Sequence, residues 1–156
     1  MAVTETDLQE IKSKLTPLLG KKAWGVSKGV GSFVTLEFGR PLPTNGSNER
    51  THGEWHLWLY NCAWRLEAGK RQVLAGSGDS PDRIEAAIQR LEGLSFDSID
   101  ILPPALDTAI TFSEDVTLRL FPISQDMELE HWMLYTPDGN VLLIGPGSSW
   151  SYEDAE

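Results

Sequence analysis

The sequence predicts an α+β fold: two diverged tandem repeats, each one helix followed by antiparallel strands, packed as a single domain over residues 1–156. Three observations lead there. Helix-start signals occur twice, near residues 4 and 80; β-rich runs bounded by Gly, Pro and Asn follow each of them; and the order of these signals recurs at a near-constant offset. At this length a chain buries about two-thirds of its unfolded surface, so one core is expected without disulfides or metal.

Thr4 or Thr6 can cap the first helix, whose Leu8, Ile11, Leu15 and Leu18 fall on one face before Gly20 stops it. Residues 23–27, 32–38, 54–65 and 71–75 read as strands, and the aperiodic run 40–53 as a long exposed loop. Ser80 followed by Pro81 opens a second helix carrying Ile84, Ala87, Ile88 and Leu91, ended by Gly93. Residues 98–102, 108–112, 117–121, 131–135 and 140–144 complete the strands. The turns Glu67-Ala68-Gly69-Lys70 and Thr136-Pro137-Asp138-Gly139 have hairpin chemistry and leave no room for a crossover helix.

The apolar helix positions align at an offset of 76, residues 56–60 with 131–135 at 75, and residues 73–80 with 142–149 at 69. Those offsets place the repeats at about 4–80 and 81–150.

Composition bounds the function. With 40% hydrophobic residues and six Trp, the chain holds enough apolar surface to fold. The start lacks a basic segment followed by an apolar run, and no eighteen-residue apolar stretch occurs, so neither secretion nor a membrane span is expected. The lone Cys62 cannot pair within the chain, which fits a reducing, cytoplasmic location. A formal charge of −10 argues against nucleic acid as a partner. The charge is lopsided: residues 1–78 hold ten Lys and Arg against seven Asp and Glu, and residues 79–156 hold three against sixteen.

His52, Glu54 and His56 alternate by two, the spacing that puts three metal-ligand types on one face of a strand. Gly53 and the polar loop before it place His52 outside the strand, and the pattern departs from His-Glu-x-x-His. Solvated strand-edge residues are the plain alternative. Residues 76–80 lead into a helix start, where an anion can bind, yet Asp79 and Asp82 already supply negative charge there and ordinary capping fits better. Cys62 lacks an activating signature, and no serine elbow or other catalytic set is apparent, so no cofactor is expected.

Trp55, Trp58 and Trp64 fall within ten residues. On one continuous strand Trp58 and Trp64 share a face and Trp55 takes the other, as in a strand covered on both sides. Core packing explains most such aromatics; Trp58 is the candidate anchor for a partner. Carboxylates crowd the second half, and Glu114, Asp115, Asp126, Glu128 and Glu130 are the candidate contacts for a basic protein, steered by complementary potential. In size, acidity and Trp content the chain resembles bacterial toxin-neutralising immunity proteins. That resemblance implies a non-catalytic binding module whose carboxylates oppose the Lys and Arg of a cationic toxin. The alternatives are a metal-dependent or small-molecule enzyme using the His/Glu cluster, with His131 as a further residue that could converge on it across the sheet, and a homo-oligomeric structural protein.

Overall fold

The computed structural model describes residues 2–43, 51–125 and 130–155. Among these residues α1 (Glu5–Leu15) leads into β1 (Trp24–Lys28), β2 (Val34–Pro41), β3 (Gly53–Leu59), β4 (Ala63–Ala68) and β5 (Gln72–Gly76). Then α2 (Pro81–Ile88) leads into β6 (Phe96–Leu102), β7 (Asp107–Phe112), β8 (Val116–Phe121), β9 (Trp132–Tyr135), β10 (Asn140–Ile144) and β11 (Trp150–Asp154). The class is α+β, as the helix and strand patterns predict.

Both helices start where capping chemistry says they should. Thr4 closes a capping box: its hydroxyl accepts from Asp7 N, and the Asp7 carboxylate accepts from Thr4 N. Ser80 caps α2 with Pro81 in the first turn. Each helix tightens into a 3₁₀ turn, Thr16–Leu18 and Gln89–Leu91, before a glycine at φ +84° redirects the chain. The two exits are stitched together. Gly20 N donates to Phe96 O and Phe96 N to Lys21 O, while Gly93 N donates to Ala23 O and Ala23 N to Leu94 O.

The strands form two antiparallel sheets, one in the order β1-β2-β3-β9-β10-β11 and the other β5-β4-β8-β7-β6. Each sheet therefore draws strands from both halves of the chain. Period-two alternation turns Val34, Leu36 and Phe38 of β2, Leu57 and Leu59 of β3, and Leu118 and Leu120 of β8 into one core with Ile11, Leu15, Ile84 and Ile88 of the helices. The opposite face of the six-stranded sheet carries Thr35, Glu37, His56, Trp58 and Tyr135.

Five expectations change. The run 54–65 is not one strand: the chain bends at residues 60–62, where Tyr60 N and Asn61 N both donate to His131 O, and passes from one sheet to the other. Trp64 is consequently a core residue, its indole donating to Ser32 O, and does not share a face with Trp58. Residues 56–60 and 131–135 are hydrogen-bonded neighbours, with His56 opposite Tyr135 and Trp58 opposite Met133. The buried helix positions match at an offset of 73, with Ile11, Leu15 and Leu18 against Ile84, Ile88 and Leu91. Finally, β11 pairs with β10 through a polar stretch that lacks the expected strand composition.

Candidate functional site

Glu37 and His56 face each other across β2 and β3 on the outer side of the six-stranded sheet. An outward face normally leaves such residues in water, yet Glu37 is 3% and His56 7% exposed. The cover is local. Trp58 and Tyr135 flank the His56 ring, and the His52 ring packs 4.3 Å from it, centroid to centroid. Gly25, at φ +61°, lets the Glu37 side chain lie against β1; a Cβ there would sit 3.1 Å from Glu37 Cγ.

Both carboxylate oxygens of Glu37 are held in place. Oε1 accepts from Gly53 N at 2.8 Å. Oε2 lies 2.5 Å from His56 Nδ1 and 3.8 Å from His52 Nδ1. His56 Nδ1, paired with the carboxylate at that distance, has no other polar partner. The other nitrogen, Nε2, accepts from the Trp58 indole. Since an indole N–H only donates, Nδ1 carries the ring proton in this arrangement.

Of the triad read from the sequence, His52 and His56 come together and Glu54 does not. The register of β2 and β3 shifts between Phe38 and Pro41, and Glu54 turns to Arg40: its Oε1 accepts from Arg40 N at 2.8 Å. That bond, helped by the Arg40 charge, holds the Glu54 carboxyl below its ordinary range. Glu37 takes its place. Ligand atoms of Glu37, His52 and His56 all lie within 4.8 Å of one another. The only sequence hint of Glu37 was a carboxylate in the middle of an otherwise strand-like run. Its histidine partners lie fifteen and nineteen positions away, outside any local motif.

Beside the cluster opens a cavity of about 410 Å³, bounded by Phe33, Thr35 and Trp58 as well as Glu37, His52 and His56. His131 stays away from it. It sits before β9, fully buried, with Nδ1 3.2 Å from Asn61 O and its ring against Gly145.

Of the carboxylates singled out by charge, the described ones fall at two places. Glu114 and Asp115 occupy the turn after β7, where Asp115 O accepts from Gly69 N beside Lys70 and Arg71. Glu130 lies at the other end of β4, where its carbonyl accepts from Asn61 Nδ2. The length of β4 separates them, about 20 Å at ~3.3 Å per residue. Asp126 and Glu128 fall outside the described residues. Trp58 is half-buried on the other sheet, edge-on to Phe33.

The remaining candidates have ordinary roles. In the loop before α2, Asp79 accepts from Gly76 N and Ser77 N donates to Trp64 O, which occupies those donors internally. Burial pushes the Cys62 thiol up to about 12, so it is unreactive. Among the described residues no helix is long and apolar enough to cross a membrane. Comparison of the chain with protein families, with curated proteins and with solved structures finds no match.

Proposed function

We propose that this protein binds a divalent transition-metal ion through Glu37, His52 and His56 and presents it to a small molecule in the adjoining cavity. The carrying observation is the gathering of three ligand groups, two of them buried: ligand atoms of Glu37, His52 and His56 all lie within 4.8 Å of one another. Two imidazoles and a carboxylate gathered this closely on a sheet face are what a metal site is built from. Ligands about 2.0 Å from one ion at a tetrahedral angle lie roughly 3.3 Å apart, and the spacings of 2.5 and 3.8 Å fall on either side of that value. Two imidazoles and one carboxylate suit zinc or iron(II) and leave coordination positions open for a reactant.

An organic ammonium is the competing cation. Glu37 argues against it, because its oxygens already lie against Gly53 N and His56 Nδ1. Docking of a basic protein is less supported, since the described carboxylates named for it sit at opposite ends of β4.

Metal analysis and calorimetric titration with Zn²⁺ and Co²⁺ on dialysed protein test the reading. One equivalent is expected. Glu37→Gln and His56→Ala should weaken binding by about a hundredfold or more, whereas Glu54→Gln should leave it within severalfold of the parent. No binding by the parent protein, or equal loss in Glu54→Gln, overturns the assignment.

We also infer that the two halves are diverged copies that exchange strands. What supports this is the 73-residue offset of the buried helix positions and the reciprocal bonds between the two helix exits. In that correspondence β3 answers to β8 and β9 to β4.

A further inference from the structure

Resting on the metal reading above, we infer the class of molecule that the site takes: one with a metal-coordinating head and an apolar, ring-bearing tail. The cavity is polar at one end only. Along β2 and the residue before it, Glu37, Thr35 and Phe33 line the cavity, each two positions on, so Phe33 stands about 13 Å along the backbone from Glu37 at ~3.3 Å per residue. Phe33 at that far end stands edge-on to Trp58, which lines the cavity and reaches back to His56, and to Tyr60 behind it, with ring centroids 5.1 and 5.0 Å apart. Gly29 makes room for it: a Cβ there would meet Phe33 Cδ1 at 3.3 Å. Between the ends lie the hydroxyls of Ser27 and Thr35, 3.0 Å apart. A molecule whose donor atoms complete the coordination sphere therefore extends its other end over aromatic edges, which favour an apolar or aryl group and disfavour a charged one.

The test uses the Co²⁺-loaded protein, whose visible spectrum reports loading and ligation separately. Three hydroxamates share the same chelating head and differ in the tail: acetohydroxamate, benzohydroxamate and succinic monohydroxamate. Benzohydroxamate should bind at least tenfold more tightly than either of the others. Phe33→Ala and the milder Phe33→Leu should each reduce that preference while the Co²⁺ spectrum without ligand stays that of the parent, which also shows that the variants fold. Equal affinity of the three, tightest binding of the charged tail, or a preference unmoved in both variants refutes the tail class while leaving the ion site standing. Failure of Co²⁺ to load refutes the metal reading, and this inference with it.

Discussion

At the scale of single residues, Trp58 sets the state of the site. Its indole donates to His56 Nε2, which keeps the ring proton on Nδ1, the nitrogen that faces Glu37. An ion on Nδ1 sends that proton to Nε2, where it opposes the indole N–H, so the Trp58–His56 hydrogen bond competes with ion binding. Trp58→Phe removes the opposing donor and keeps an aromatic ring. Its Zn²⁺ affinity should rise severalfold over the parent, and the Trp58 indole proton of the parent should shift on Zn²⁺ addition in NMR spectra. A fall in affinity would mean that the indole supports the ion. None of this was legible in the sequence, because Trp58 and His56 read only as alternate residues of one strand and Glu37 as an isolated carboxylate.

At the scale of elements, the hairpin between β9 and β10 illustrates how a turn is pinned. The Asp138 carboxylate accepts from Thr136 Oγ1, from the Tyr152 hydroxyl of β11 and from Asn140 N, and these bonds hold its carboxyl down at about 2, from an ordinary 3.8. A folded-state value lower than the unfolded one means that the unfolded chain takes up the proton first as acid is added. The contribution is thus complete above about pH 5, declines as the pH falls through 3.8, and is gone below about 2. Asp138→Asn should lower the urea midpoint near neutrality, and most of its difference from the parent should vanish in acid by about pH 2. A constant difference across that range would show that charge at Asp138 is not what stabilises the turn. The hairpin itself was readable from Thr136-Pro137-Asp138-Gly139; its tie to Tyr152 was not, since β11 carries few strand-forming residues other than Trp150 and Tyr152.

For the molecule as a whole, the decisive feature is that neither half completes a sheet by itself. β3 pairs with β9, and β4 with β8, so cutting the chain between β5 and α2 leaves each piece with two partial sheets and an uncovered core. Residues 1–78 and 79–156 produced separately should show little cooperative unfolding by circular dichroism, and mixing or coexpression should restore a single transition and the elution volume of the intact chain. Independent folding of either piece would mean that exchange between the halves is dispensable. The bend at residues 60–62 is what commits the chain to this arrangement, and the sequence around it, apolar on both sides, reads as continuous strand.

Local chemistry was enough to determine the helix starts at Thr4 and Ser80, the glycine stops, the hairpin turns and most of the strands, because caps, turns and alternation act over a few residues. Which strands become neighbours, which carboxylate lies beside the two histidines, and where the chain passes between sheets were decided only by tertiary structure. Those outcomes depend on sheet register and on where the chain crosses between layers, and contacts between residues far apart in sequence leave no periodic trace along it.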